Sequence, residues 1–410
     1  MKARSGPAST DKEGRIRILH VIHSGAIGGG PKMVHALATH FDQGVWQSIV
    51  ICSDDGPLKS DLESGGVQVR PVNLATKWRA VASIPALARE IRLANPALIH
   101  LHGQFAGFAG GIACRLARHS RIVYTARFPS FMTDGGFLRR QRNAFVERVS
   151  CQCAQAVVCV SECDRKEYVR RRLLSEHKSM VIYNGVAVED FPLDATRQPW
   201  IEERNALQGG PVIGFVGRLA DQKGVEVLLR ALPNVLQRYP RCALLVAGNG
   251  PMMQGLNNLA GELGIQQSVR FLGWCHDVPT MLAGLDLLVI PSLYEPFGNI
   301  ALEGMAAATP IVASRVGGLQ ETVLDGVTGR LVAPNDPLAL ARAIAEVLAD
   351  PQKARRMGSA GRERVQRDFT IAAMLARYEA LYRSVLIDSW PSGKLETGRD
   401  QRQASGGEPK

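Results

Sequence analysis

The sequence predicts an α/β protein with two doubly wound domains in succession, and three observations carry that expectation. A run rich in β-branched residues, Arg15 to Ile22, leads through Gly25, Gly28, Gly29 and Gly30 into an amphipathic stretch that ends at Phe41. The same strand, glycine and helix order restarts at mid-chain: Pro211 to Val216, then Gly217-Arg218-Leu219, then a helix to Gln237. The third is Leu285 to Ser292, a short aliphatic run that reads as a buried parallel strand opening into a tight loop and a helix N-terminus. Each half thus reads as a Rossmann-like domain, and the two are expected to face each other across a cleft.

The bulk numbers agree. A chain of 410 residues is long enough for two or three domains, each with its own core. Apolar content of 46% and charged content of 21% are those of a soluble globular protein. No run of 18 apolar residues suggests a membrane span, and the polar start, Met1 to Gly14, lacks the apolar core of a signal peptide, so a cytoplasmic location is expected. The expected division is a disordered leader at 1–14, a first domain at 15–190, a second at 191–386 whose final helix packs back on the first, and a disordered tail at 387–410. Of the eight cysteines, four fall within 151–163, but there is no C-x2-C pair and Cys159 sits inside an apolar run, which favours reduced, buried thiols over a metal site. The net charge of +11 is concentrated: residues 1–190 hold 26 Lys and Arg against 16 Asp and Glu. A basic first half points to an anionic partner.

In chain order, the glycines at 25, 28, 29 and 30 do not form G-x-G-x-x-G; they serve a ligand or only a tight turn. Ser48 to Cys52 reads as a second strand ending at Asp54-Asp55, an acid placed where a dinucleotide dehydrogenase holds ribose. Val67 to Val72 reads as a strand, Ile84 to Ala94 as a helix, and Ala97 to Leu101 as a strand with His100 and His102 at its end. Alternation places both histidines on one face with Leu101 opposite; each is a core histidine or a site residue, and His102 lies nearer the end where doubly wound folds bind ligands. Arg121 to Thr125 is a fifth strand, followed by Arg127. Beyond it Phe128, Phe131, Met132, Phe137 and Phe145 interleave with Arg139, Arg140, Arg142 and Arg148. That pattern suits an anionic membrane or a lipid-phosphate acceptor, or else a solvated helix with a buried apolar stripe. Ala156 to Ser161 and Met180 to Ile182 are later strands, and Tyr183-Asn184-Gly185 is a turn.

The second half opens with Pro211 to Val216. Arg218 and Lys223 follow it, two cations placed to face a diphosphate. Cys242 to Ala247 is a strand with Gly248-Asn249-Gly250 as its loop, and Val269 to Leu272 leads to Gly273-Trp274. Pro291 ends the strand begun at Leu285. Gly298 admits close backbone approach, and the N–H groups of Asn299 and Ile300 open a helix that suits an anion. Glu295 and Glu303 flank that turn. Carboxylates there would repel a phosphate, but they suit hydroxyl groups on either side of it, a ribose and a sugar. Pro310 to Ser314 is a strand, and Pro337 to Leu348, Gln352 to Gln366 and Ile371 to Leu386 are helices.

The stretch from Leu285 through Glu295-Pro296-Phe297-Gly298 to Glu303, with its Glu-x7-Glu spacing, resembles the retaining, nucleotide-sugar-dependent glycosyltransferases of the GT-B group, family 4. Tyr183-Asn184-Gly185, Val316-Gly317-Gly318-Leu319-Gln320-Glu321 and Asp325-Gly326-Val327-Thr328-Gly329 resemble further motifs of that family. The resemblance implies transfer of a sugar from a nucleoside diphosphate to an acceptor hydroxyl in polysaccharide, lipopolysaccharide or glycolipid assembly. It implies that Arg218, Lys223 and Glu295 are catalytic and that Glu303 holds ribose. It also implies donor contacts from Gly29, Gly30, Gly217, Gly248, Gly250, Leu272, Gly273, Phe297, Gly298, Asn299 and Ile300. His102 and Arg127 fall on the acceptor side or at the reaction centre, and Arg127 stands where the family often has histidine. Arginine has no acceptor atom and stays protonated, so it is no general base. No Asp-x-Asp ends a strand, so neither a metal nor another cofactor is expected. The expected partners are a sugar nucleotide, a lipid-linked acceptor and an anionic membrane surface on the cytoplasmic side, with no nucleic acid. A nicotinamide-dependent dehydrogenase and a non-catalytic carbohydrate or nucleic-acid binder are the competing readings.

Overall fold

The computed structural model describes residues 10, 13–26, 28–74, 76–132, 136–191, 193 and 209–387. They form two compact units. One takes the chain to Cys159, Arg165–Ile182 and the residues from Arg377; the other takes Val160–Asp164 and Tyr183–Ala376. Most of the leader and tail expected at 1–14 and 387–410, and much of the connection at 187–210, lies outside the described residues.

The first unit is a seven-stranded sheet: β1 (Ile16–Ile22), β2 (Trp46–Cys52), β3 (Gln68–Pro71), β4 (Leu98–His102), β5 (Ile122–Ala126), β6 (Ala156–Cys159) and β7 (Ser179–Val181). Its spatial order is β3-β2-β1-β4-β5-β6-β7, and every neighbouring pair is parallel. Aliphatic residues alternate between the two faces. Leu19, Val21, Ile99, Leu101 and Tyr124 enter one core. The opposite face carries Ile22 against Val34 and Ala38 of helix Gly29–Thr39.

Helix Gln104–Leu116 has no counterpart in the sequence reading. Its Gly and Ala content conceals the helical period. The glycines are there for close approach: a Cβ on Gly107 or Gly110 would come within 2.6 Å of Tyr124 or Leu101, and one on Gly111 within 2.8 Å of Cys153. Each glycine costs about 1 kcal/mol of helix propensity relative to alanine, offset here by packing directly on the sheet and on helix Phe137–Cys153.

The second unit repeats the plan with six parallel strands: β8 (Val212–Val216), β9 (Ala243–Ala247), β10 (Val269–Gly273), β11 (Leu287–Ile290), β12 (Ile311–Ser314) and β13 (Arg330–Val332). The order is β10-β9-β8-β11-β12-β13. β13, only three residues long, was not foreseen. Ile213, Phe215, Leu244, Val246, Leu287 and Val289 face helices Val225–Arg238 and Pro337–Ala349. Leu245, Leu288, Ile290 and Ile311 face helix Asn299–Ala306. The period of two follows from the pleat. In both sheets the strand order reverses once, between β1 and β4 and between β8 and β11. Folds of this kind bind ligands beyond the carboxyl ends of the strands at that point.

Candidate active site

In the second unit the loops leaving β8 and β11 carry the charged residues singled out above. After Val216 the chain runs through Gly217 and Arg218 into a turn, Asp221–Lys223, that is closed by Gly224 at φ 62°. A Cβ at Gly224 would overlap the Pro291 carbonyl, so the two loops meet backbone to backbone. The Gln222 carbonyl accepts the N–H of Leu293 at 2.8 Å, which fixes Lys223 beside the β11 loop. Lys223 Nζ reaches Glu295 Oε2 at 2.5 Å, and Ser292 Oγ donates to the same oxygen at 3.2 Å. Glu295 is buried, and its main-chain carbonyl accepts the Gly318 N–H at 3.0 Å. Gly317 packs against that carbonyl so closely that a Cβ would overlap it. The Gly317-Gly318 pair thus pins the Glu295 loop. Arg218 is exposed, and its side chain makes no hydrogen bond or ion pair with a described residue.

Helix Asn299–Ala306 follows Gly298 at φ 90°, with no side-chain cap and no acid in its first turn. The N–H groups of Asn299 and Ile300 have no partner within the helix, which leaves a positive helix end. Asn184 Nδ2 donates to Asn299 Oδ1 at 2.8 Å and anchors the first residue. Glu303 lies one turn further in and is partly exposed.

Other expected donor contacts have packing reasons. A Cβ on Gly248 would overlap the Gly217 carbonyl, and one on Gly250 that of Leu219. Gly248 N–H donates to the Gly273 carbonyl at 2.6 Å, and Leu272 beside it is partly exposed. Phe297 is 2% exposed and stacks on Tyr183 at 5.6 Å, with Phe369 at 6.1 Å. Its ring is core, so only its backbone is left for a donor.

In the first unit, β1, β4 and β5 turn His20, His100, His102 and Thr125 to one face, with Leu101 opposite as alternation requires. Sequence reasoning missed His20, hidden in an apolar run, and Tyr378 and Tyr382, which are some 250 or more positions from their partners. His100 is held by Tyr382 OH at 2.6 Å and Thr125 Oγ1 at 2.7 Å, and Tyr378 OH lies 3.3 Å from Thr125. Arg127 donates to His102 Nδ1 at 3.0 Å, and His102 Nε2 lies 3.2 Å from His20 Nδ1. Burial, with Arg127 adding to it, pushes His20 down to about 3; burial likewise holds His100 and His102 well below the usual histidine range. All three rings are therefore neutral. Arg127 has only donors, so the His102 proton sits on Nε2 and is given to His20 Nδ1, which leaves the His20 proton on Nε2.

Nitrogens of the three rings come within 4.8 Å of one another. The set fits a hydrogen-bond network better than a metal: both His100 nitrogens are occupied and a guanidinium sits on His102. The chain between Cys151 and Cys163 offers no better donor, since burial raises the Cys151 thiol well above its ordinary range. The acids after β2 are also engaged. Asp55 accepts Ser24 Oγ at 2.8 Å and Gly25 N–H at 2.6 Å, and Asp54 pairs with Lys59 at 3.1 Å. Asp55 closes the glycine loop rather than offering itself to a ribose.

The histidines predict a pH effect. An unfolded histidine binds a proton near pH 6.5, while the folded His20 resists protonation to about 3. The unfolded chain therefore gains protons first as pH falls, and stability drops from about pH 6.5 downward by up to about 1.4 kcal/mol per unit per histidine. Urea midpoints should be lower at pH 5 than at 7. Equal midpoints would contradict the neutral network.

The two units share one plan, an all-parallel sheet flanked by helices, and the second carries charged loops at its switch point. Two family models match: Glycosyl transferases group 1 over residues 196–364 and Glycosyltransferase Family 4 over 27–190. An uncharacterized glycosyltransferase of Methanocaldococcus jannaschii is 39% identical over 262 residues, 62% of this chain and 66% of that protein. The alpha-maltose-1-phosphate synthase of Mycolicibacterium smegmatis is 29% identical over 385 residues, 87% of this chain and 97% of that protein. The chain spans about half to two thirds of the length of the first curated relatives it matches. The Anabaena HepE structure in complex with UDP and glucose superposes with a TM-score of 0.80 at 23% identity, covering 90% of this chain and all of the other. The chain belongs to the group 1 glycosyltransferases of the GT-B fold.

Proposed function

We propose that the protein moves a sugar from a nucleoside diphosphate to an acceptor hydroxyl, with retention, in polysaccharide, lipopolysaccharide or glycolipid assembly. The observation that carries this reading is the β8–β11 switch point, where Lys223 pairs with a buried, fixed carboxylate, Glu295, and the loops after the two strands also carry Arg218 and an uncapped helix end. The bond between the sugar carbon and the diphosphate oxygen breaks as the acceptor oxygen attacks from the same side. The acceptor proton passes to the departing phosphate, which needs no protein base and no covalent nucleophile. Charge growing on that phosphate meets Lys223 and the N–H groups of Asn299 and Ile300, which the fold holds in place to receive it, and the exposed Arg218. In this reading Glu295 contacts the donor sugar and Glu303 takes the ribose hydroxyls. With this many positive groups in place, no metal is proposed.

A mass-spectrometric screen of sugar nucleotides tests the reading: one of them should be hydrolysed slowly to its nucleoside diphosphate. Glu303→Ala should then raise the donor KM about tenfold or more, the value of one charge-assisted hydrogen bond, and leave the melting temperature unchanged. NAD binding with no sugar-nucleotide turnover would instead favour a dehydrogenase.

The first unit adds a second element to the reading, a membrane-facing acceptor side. Helix Phe137–Cys153 turns Asn143, Glu147 and Ser150 inward and leaves Phe137, Leu138 and Phe145 exposed, beside exposed Arg139, Arg140 and Arg142. Of the aromatics noted in sequence, Phe131 goes to the core against Tyr168. Cys151 and Ala144 pack on the core from the inward side, while the larger apolar chains of the helix stay outside. No described helix is long and apolar enough to cross a membrane. An outward face of aromatic and basic residues supports peripheral contact with anionic lipid.

A further inference from the structure

The segment that follows β6, Val160–Asp164, belongs to the second unit and opens a helix, Glu162–Arg170. Its residues close a ring of hydrogen bonds around the Glu295 loop. Ser161 Oγ accepts the Asp164 N–H at 3.1 Å. The Glu162 and Cys163 N–H groups donate to the two carboxylate oxygens of Glu321, at 2.9 and 2.7 Å. These are the first donors of the helix, where a carboxylate is favoured. Glu321 ends the 316–321 stretch, whose Gly318 N–H goes to the Glu295 carbonyl. On the other flank Tyr294 OH donates to Asp164 Oδ1 at 2.5 Å. From Glu295 the ring runs through Gly318, Glu321, the helix start, Asp164 and Tyr294 back to Glu295. Tyr183 braces it: its hydroxyl donates to Glu321 Oε2 at 2.9 Å, and its ring stacks on Phe297.

Asp164 is 1% exposed. A buried carboxylate is costly unless hydrogen bonds hold it, and a hydroxyl donating to a carboxylate makes a short, strong bond. Burial, with Asp164 adding to it, raises the Tyr294 hydroxyl above its ordinary range, so it stays a donor. The same residue is tied to the neighbouring loop. The N–H groups of Leu293 and Tyr294 both reach the Gln222 carbonyl, at 2.8 and 3.4 Å. Tyr294 thus anchors the backbone that carries Glu295 and, through Gln222, the turn that carries Lys223.

We infer that Asp164 and Tyr294 are positioning residues for the transfer, whose hydrogen bond holds Glu295 and Lys223 where the reaction needs them. This rests on the proposed function, in which Glu295 contacts the donor sugar and Lys223 the departing phosphate. Releasing Tyr294 lets the carboxylate and the ammonium shift against each other. A misplacement of about 1 Å at a reacting centre is enough to cost turnover heavily, while the base and ribose contacts that set donor binding stay in place.

Tyr294→Phe tests this, because it keeps the ring in place and removes only the hydroxyl. With the sugar nucleotide that the mass-spectrometric screen selects, kcat should fall about 10- to 100-fold, the usual worth of a hydrogen bond to a charged group, and donor KM should stay within about twofold. Asp164→Asn keeps an acceptor oxygen and should recover most of the loss seen in Asp164→Ala. Asp164→Ala combined with Tyr294→Phe should be no slower than the slower single variant, because both remove one bond. Acetylation of Lys223 by N-hydroxysuccinimidyl acetate, read by peptide mass spectrometry, needs no turnover. It should be several-fold faster in Tyr294→Phe than in wild type, because Glu295 then holds the ammonium less firmly. A folded Tyr294→Phe that melts earlier but keeps the wild-type kcat overturns the role, and so does equal acetylation of Lys223 in the two proteins. A wild type that turns over no sugar nucleotide counts against the proposed function alone, and the acetylation rates then decide the positioning role.

Discussion

Arg218→Ala and Lys223→Ala are each expected to lower kcat by about 10²-fold or more, with a smaller change in donor KM. In the proposed function both cations act on charge that appears as the donor bond breaks, and removing a group of that kind costs about 10²- to 10³-fold. The two variants should differ in stability. Arg218 is exposed, so its loss should leave the melting temperature unchanged. Lys223 is paired with buried Glu295 at 2.5 Å, and its loss leaves that carboxylate with Ser292 alone. Breaking a buried pair from one side is costly, so Lys223→Ala should melt earlier, and Lys223→Arg should recover stability better than turnover. Under the proposed function the pairing has a consequence for donor binding: the diphosphate would share or take over the ammonium that Glu295 holds. Chelation by EDTA should leave wild-type turnover intact. Activity that vanishes in EDTA and returns with manganese would overturn the metal-free scheme, and a kcat unchanged in Arg218→Ala would overturn its role at the leaving group.

Legibility in the sequence divides along physical lines. The strands, their order in the chain and the restart at Pro211 were readable because each is a local apolar run closed by glycine or proline. The Glu295 loop was readable because Pro291, Pro296 and Gly298 punctuate it. Helix Gln104–Leu116 was not readable, since a helix of Gly and Ala that packs on both sides has no polar face to set a period. β13 was too short to show. The packing roles of Gly248, Gly250 and Gly317 were also hidden: each is glycine because another backbone passes within contact distance, and that neighbour is 31, 31 and 22 positions away. His102 and Arg127 could be marked by their places at strand ends, but not the proton arrangement between them. That arrangement depends on His20, brought alongside His102 only when β1 pairs with β4.

Replacing Arg139, Arg140 and Arg142 together with Gln is expected to reduce partitioning onto anionic vesicles by about two orders of magnitude, at roughly 1 kcal/mol for each basic residue near such a surface. All three lie exposed on helix Phe137–Cys153. The fold keeps on that helix's outer side Phe137 at 73%, Leu138 at 82% and Phe145 at 60% exposure. Core packing does not account for these apolar chains, because the inward face is built from Asn143, Glu147, Ser150 and Cys151, with Glu147 accepting from Tyr124 OH at 2.7 Å. The two contributions separate by salt. Raising the ionic strength shortens the Debye length to a few ångströms and should mimic the arginine variant, whereas Phe137→Ser with Phe145→Ser should weaken a component that salt leaves in place. Cosedimentation with vesicles of graded anionic lipid content reads both. Donor hydrolysis in solution should survive in all of these variants, since Arg218, Lys223, Glu295 and Glu303 belong to the other unit. Vesicle binding that is absent in wild type, or equal in wild type and the triple variant, would show that the arginines are only solvated and would remove the membrane from the proposed function while leaving the sugar-transfer site in place.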